Sequence, residues 1–220
     1  MPSRIEIICS HLPSVRSFAD IGCDHGFCTQ FMLENGRCER AYISDISRES
    51  LKKAERLLEE YIGAGTCVSV CADGMSGLPE MPDVVLIAGM GGEEIIHILS
   101  DADMPPLFVL QPMRNTDKVR AYLLSRGCRI RKDYTFSDGK YYDLIVGEGT
   151  GGDEYSDWEI AYGRDNLKSP TPDFIRKLKK EQDELRKLLE NPALTGESRD
   201  EVRERLYRLE AITDAIEGDI

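Results

Sequence analysis

A chain of 220 residues with a formal net charge of −12 and 41% hydrophobic residues has room for one α/β domain plus an appendage, and is too apolar to stay disordered. No run approaches a membrane span, the first residues (MPSRIEIICSHLP) hold no apolar signal core, and the acid excess argues against a protein that wraps nucleic acid indiscriminately. Seven cysteines, an odd number in mostly apolar surroundings with no CxxC pair, point to reduced thiols in a cytoplasmic protein; with the three histidines scattered, no metal site is expected.

In chain order, residues 15–21 predict a strand, 26–35 a helix and 40–45 a second strand. Ser47 then stands as the N-cap of a helix with Leu51, Ala54, Leu57 and Leu58 on one face, and 66–72 is a third strand. Residues 82–88 (PDVVLIA) form the continuous apolar run of a central parallel strand buried on both faces; the glycines at 89–92 break it, and helical spacing resumes at 93–99. A fifth strand at 107–110 stops at Gln111-Pro112. After a helix to Arg126, the extended segments 128–136 and 141–147 are joined by the turn sequence SDGK. Strand and helix alternating in this way, and ending in a hairpin, predict a doubly wound α/β domain.

From Ser169 the character changes. Thr171-Pro172 caps and starts a helix with Phe174, Ile175, Leu178, Leu185, Leu188 and Leu189 on one side, and NPALTG breaks it. Ser198 and Glu201 fit a capping box opening a second helix, along which Val202, Leu206, Leu209, Thr213 and Ile216 recur. Two antiparallel helices packed as a short coiled coil are expected, either as a stabilising hairpin or as an arm for RNA or another subunit. The expected domains are 1–160 and 161–220. Seven basic residues (Arg114, Lys118, Arg120, Arg126, Arg129, Arg131, Lys132) against one acid, Asp117, make either a solvated face or a limited contact for structured RNA.

The segment FADIGCDHG, residues 18–26, is the most informative. Glycines let a strand-to-helix loop turn sharply and approach a ligand, and the helix start offers free N–H groups. The spacing Asp20-x-Gly22-x-x-x-Gly26 does not match the dinucleotide fingerprint G-x-G-x-x-G. An acid before the first glycine is instead the methyltransferase arrangement, here with Asp24 where its middle glycine would be. Asp45, at the end of the second strand, is placed to accept both hydroxyl protons of a ribose, and Asp73 with Gly74 to receive an adenine amino group. An acid-lined cleft suits a sulfonium cation better than a pyrophosphate. After the fourth strand, IAGMGG (Ala88, Gly89, Met90, Gly91, Gly92) holds the backbone open where a substrate approaches. The Asn/Asp-Pro-Pro-aromatic tetrad usual there in amine-directed nucleic-acid methyltransferases is missing, so the residues alone leave the substrate class open.

ADIGCDHG, IAGMGG and LQPM, in that order and followed by a helical C-terminal hairpin, closely resemble the bacterial tRNA (adenine(22)-N1)-methyltransferases of the TrmK family, over essentially the whole chain. ISDI, GFCTQ and LQPM depart from the family's commoner residues. The resemblance implies a Rossmann-like class I methyltransferase domain with a mostly parallel seven-stranded sheet, and S-adenosylmethionine and tRNA as partners. It places Asp20, Ile21, Gly22, Gly26, Asp45, Ile46, Asp73, Gly74, Ala88, Gly89 and Met90 at the cofactor. Asp24 is the candidate catalytic residue. Arg4, His25, Gly91, Gly92, Gln111, Pro112, Met113 and Arg114 are placed toward the substrate, the two arginines at phosphates. The alternatives are a methyltransferase on another RNA or a small molecule, and a non-catalytic RNA-binding module.

Overall fold

Five parallel strands, β1 (Val15–Ile21), β2 (Cys38–Asp45), β3 (Cys67–Cys71), β4 (Val84–Met90) and β5 (Leu107–Pro112), form most of one sheet. The hairpin β6 (Cys128–Asp138) and β7 (Lys140–Gly151) completes it antiparallel, giving the order β3-β2-β1-β4-β5-β7-β6. From β1 the chain builds outward first to β2 and β3, then on the other side to β4 and β5. That reversal opens a crevice at the carboxyl ends of β1 and β4. This computed structural model describes residues 2–218, and the chain divides into two compact units after Arg164.

Side-chain alternation along the strands produces two cores, one on each face of the sheet. Phe18, Val84, Leu86 and Val109 share one core with α1 (Arg4–Ser10), α2 (Phe27–Glu34) and α3 (Arg48–Leu57) through Ile8, Met32, Leu51 and Ala54. Ala19, Ile21, Val85, Ile87, Phe108 and Leu110 face the other way, onto Ile95 and Leu99 of α5 (Gly92–Ser100) and Val119 and Leu123 of α6 (Thr116–Ser125). A short α4 (Glu59–Gly63) follows α3, whose N-cap Ser47 accepts from Ser50 N as its sequence predicts.

The structure corrects several expectations. The glycines after Ala88 do not end β4: the strand continues to Met90 across a register shift between Ala88 and Met90, and Met90 pairs with Pro112 because β5 also runs past Gln111. The SDGK turn is tighter than expected, with Asp138 paired to Lys140 around Gly139 at φ 67°. The basic strip loses a member: Arg120 is buried at 1% exposure. Its Nε donates to both carboxylate oxygens of Asp133 (3.0 and 2.8 Å) and its Nη1 to the carbonyls of Ile160 and Ala161 (3.0 and 3.3 Å). Those carbonyls belong to α7 (Asp157–Tyr162), which carries a capping box between Ser156 and Glu159. Lys118 and Arg131 of the strip pair with Glu93 and Glu148.

The second unit opens within α8 (Arg164–Lys168) and holds α9 (Pro172–Glu190) and α10 (Gly196–Gly218). Thr171 caps α9 as expected, its side chain accepting from Phe174 N. The buried stripe of α9 is Phe174, Leu178, Gln182 and Leu185, whereas Leu188 is exposed. Gln182 enters the stripe because its Nε2 is satisfied by Leu209 O (3.1 Å) and Thr213 Oγ1 (2.7 Å) of α10. Helix α10 starts at Gly196, so Ser198 lies inside it instead of capping it. Among the described residues no helix is long and apolar enough to cross a membrane.

Candidate active site

The loop between β1 and α2 carries the first group of candidate residues. Gly22 and Gly26 both take the left-handed conformation (φ 72° and 74°), which a side chain would strain. Gly22 N–H donates to Ser44 O at 2.7 Å and Asp24 N–H to Gly22 O at 3.0 Å, folding the loop back on itself. A Cβ on Gly22 would overlap the Met90 side chain, so the end of β4 closes directly over the loop. Between them lies a cleft of about 260 Å³, lined among others by Arg4, Asp20, Asp24, His25, Ala88 and Gly89.

Asp20 sits at the floor. Its Oδ2 accepts from Thr29 Oγ1 of α2 at 3.0 Å, and burial pushes its carboxyl up to about 6, against the Thr29 bonds and with Asp45 of β2 adding to the rise. Arg4 and the buried thiols of Cys23 and Cys28 face the same cleft. Because the folded-state value lies above the unfolded 3.8, the neutral form's benefit is complete below pH 3.8 and is lost as pH rises through 6. Asp20→Asn is therefore expected to stabilise the ligand-free protein by up to roughly 3 kcal/mol above pH 6 and by almost nothing near pH 3, as urea unfolding at both ends of that range would show.

Asp24 is not spent on capping, since α2 is capped by Gly26 without a side-chain bond. Its half-exposed carboxylate reaches Lys53 Nζ at 2.7 Å and His25 Nε2 at 3.0 Å. The Lys53 hydrogen bond holds its pKa below the usual carboxylate value. Arg4 enters from α1, where its backbone N–H donates to Asp138 of the β6–β7 turn at 2.8 Å. Its Nε donates to Gln111 Oε1 at 2.7 Å, its guanidinium lies 5.4 Å from the Tyr142 ring centroid, and it packs against Gly89. Gln111 is fully buried, with Nε2 donating to Pro112 O at 3.0 Å, so it meets the cleft only through Arg4.

The other candidates fall into two neighbouring groups outside the lining of this cleft. At the ends of β2 and β3, Asp45 takes Ser47 N–H at 2.7 Å, Ile46 is 72% exposed, Asp73 stands 3.7 Å from His97, and Gly74 O accepts from Ser44 Oγ at 2.7 Å. At the ends of β4 and β5, Met113 N–H donates to Met90 O (2.8 Å) and Gly92 N–H to Arg114 O (2.9 Å). A Cβ on Gly92 would come within 2.5 Å of Asn115 O, which is why a glycine stands there. Pro112, Gly91 and Gly92 are buried, and Met113 and Arg114 exposed. Sequence reasoning missed Thr29, Lys53 and Phe27. Only Phe27, an aromatic directly after Gly26, left a visible signal.

The methyltransferase-domain family matches residues 1–145. A Mycoplasma genitalium protein provisionally named a tRNA methyltransferase is 30% identical over 153 residues, 66% of this chain and 69% of that one. The Bacillus subtilis tRNA (adenine(22)-N(1))-methyltransferase is 29% identical over 156 residues, 67% of this chain and 65% of its own length. The structure of M. capricolum TrmK in complex with S-adenosyl-homocysteine superposes with a TM-score of 0.87 at 21% identity, covering 97% of this chain and 98% of that one, a likeness of fold. With its motifs, sheet order and two thirds of its length in agreement, the chain belongs to the methyltransferase-domain family and, within it, to the TrmK family.

Proposed function

We propose that the protein transfers a methyl group from S-adenosylmethionine to ring nitrogen 1 of an adenine in tRNA, the adenine at position 22, and does so in the cytoplasm. The observation that carries the reading is the acid-floored cleft between the left-handed glycines of the β1–α2 loop and the end of β4. The residues present fit that cofactor: in the cleft Asp20 offers a buried carboxylate to an ammonium or sulfonium and the loop glycines leave the backbone uncovered, while outside its lining, at the end of β2, Asp45 with exposed Ile46 offers a ribose acceptor beside an apolar side chain. Bound there, S-adenosylmethionine supplies an electrophilic methyl carbon. Asp20 must be ionised to hold it, so affinity for the cofactor product is expected to fall as pH drops through 6.

Ring nitrogen 1 carries an in-plane lone pair and attacks without first losing a proton, so positioning supplies much of the rate. The modified adenine is cationic, and Asp24, kept ionised by Lys53, faces that charge as it develops. Its lowered pKa suits a fixed negative charge better than a general base poised near neutrality. The test is incubation with labelled S-adenosylmethionine and unmodified tRNA, followed by nucleoside analysis. 1-Methyladenosine in the tRNA supports the reading; label confined to another nucleoside or to a small molecule overturns it.

A further inference from the structure

A base presented for methylation at its Watson–Crick edge has left its stack, and the lost stacking must be replaced inside the protein. The glycine-rich segment at the end of β4, residues 89–92, has no aromatic residue to offer. Among the residues lining the cleft, the only rings are those of His25 and Phe27. They stack on each other, with centroids 5.4 Å apart and planes 13° from parallel. Phe27 is the first residue of α2, outside the helix's buried set of Cys28, Thr29 and Met32, and remains 48% exposed. A large apolar ring left that open at a cleft mouth is held there by its neighbours: His25 is tied through Nε2 to Asp24, and Asp24 to Lys53. The cofactor's nucleoside end, on the reading above, belongs to Asp45 and Ile46 at the β2 end, neither of which lines this cleft.

We propose that Phe27, backed by His25, is the stacking platform for the extruded acceptor purine, setting the plane in which its ring nitrogen meets the methyl donor. The platform rests on the tRNA-adenine reading for its ligand, and the chain Lys53–Asp24–His25–Phe27 links the fixed negative charge to the ring that orients the base. Stacking of a base on an aromatic ring is worth on the order of 10- to 100-fold in binding.

The experiment compares wild type with Phe27→Ala and Phe27→Tyr. For Phe27→Ala, kcat/KM for tRNA should fall about 10- to 100-fold, while S-adenosylhomocysteine affinity by calorimetry and the melting temperature stay near wild type. Phe27→Tyr should restore the rate. An alanine variant within twofold of wild type, or one that loses cofactor-product affinity to the same degree as rate, overturns the platform. A second arm titrates adenosine 5′-monophosphate into wild type saturated with S-adenosylhomocysteine and follows the Phe27 ring by NMR. Perturbed ring resonances are expected, and unperturbed ones refute the proposal. If the wild type forms no 1-methyladenosine, the functional reading falls, and the nucleotide titration still decides the platform.

Discussion

Asp24→Ala is expected to lower methyl transfer to tRNA roughly 100- to 1000-fold, the range for losing one preorganised electrostatic contact in a site, with S-adenosylhomocysteine affinity within about threefold of wild type. Asp24 is ionised at neutral pH because Lys53 donates to it, and it lies in the loop that faces the end of β4, where the acceptor must approach. A positive charge appears on the base during the reaction, so an anion nearby lowers the barrier more than it strengthens ground-state binding. Asp24→Asn separates two versions of the idea. It keeps an acceptor oxygen for the adenine amino group but removes the charge, so activity retained by asparagine and lost by alanine would leave orientation alone. Single-turnover rates with saturating cofactor make the comparison, and unchanged rates in both variants would remove Asp24 from the chemistry.

Arg120→Met is expected to cost about 3–5 kcal/mol of stability, the usual penalty for removing one partner of a buried ion pair. The guanidinium is fully enclosed, facing Asp133 and Asp143, and also donates to the Ile160 and Ala161 carbonyls of α7. Burial pushes the Asp133 carboxyl up while Arg120 pulls it back down. Without the guanidinium its folded-state value rises further above 3.8, so the deficit of the variant should shrink as pH falls toward that value. Urea midpoints at pH 7.5 and pH 5 would show both effects. The double replacement Arg120→Met/Asp133→Leu should recover much of the loss, since a well-packed apolar pair avoids desolvating two charges. Failure to recover would mean that the bonds to Ile160 and Ala161, rather than the ion pair, carry the stability.

What the sequence made legible was governed by local rules. The two-faced burial of 84–87, the Ser47 and Thr171 caps and the left-handed loop glycines each need only a few adjacent residues to be recognised. What it hid depended on distant partners. Arg120 looks like any surface cation until Asp133 arrives from β6, and Gln182 looks solvent-facing until α10 supplies two acceptors. Residues 89–90 looked like a break because glycine weakens a strand, yet pairing with Pro112 carries β4 across the bulge. Helix α1 carries a local signal of its own, the capping box between Ser3 and Glu6, but its seven residues are too few to show a hydrophobic period. In the site, Asp20 near the end of β1 and Asp24 in the loop that follows lie close in sequence and could be paired by eye, whereas Lys53, 29 positions beyond Asp24, gave no hint of its role.

The distribution of thiols has a practical consequence. Six of the seven cysteines are buried, and Cys71 alone is exposed, at the last position of β3 with its Sγ 3.9 Å from the Ile46 carbonyl. A maleimide dye added to the native protein would therefore attach at one address, beside the strand ends that hold Asp45 and Ile46. The natural chain thus carries its own fluorescence reporter position for ligand binding, with no cysteine to delete and none to introduce.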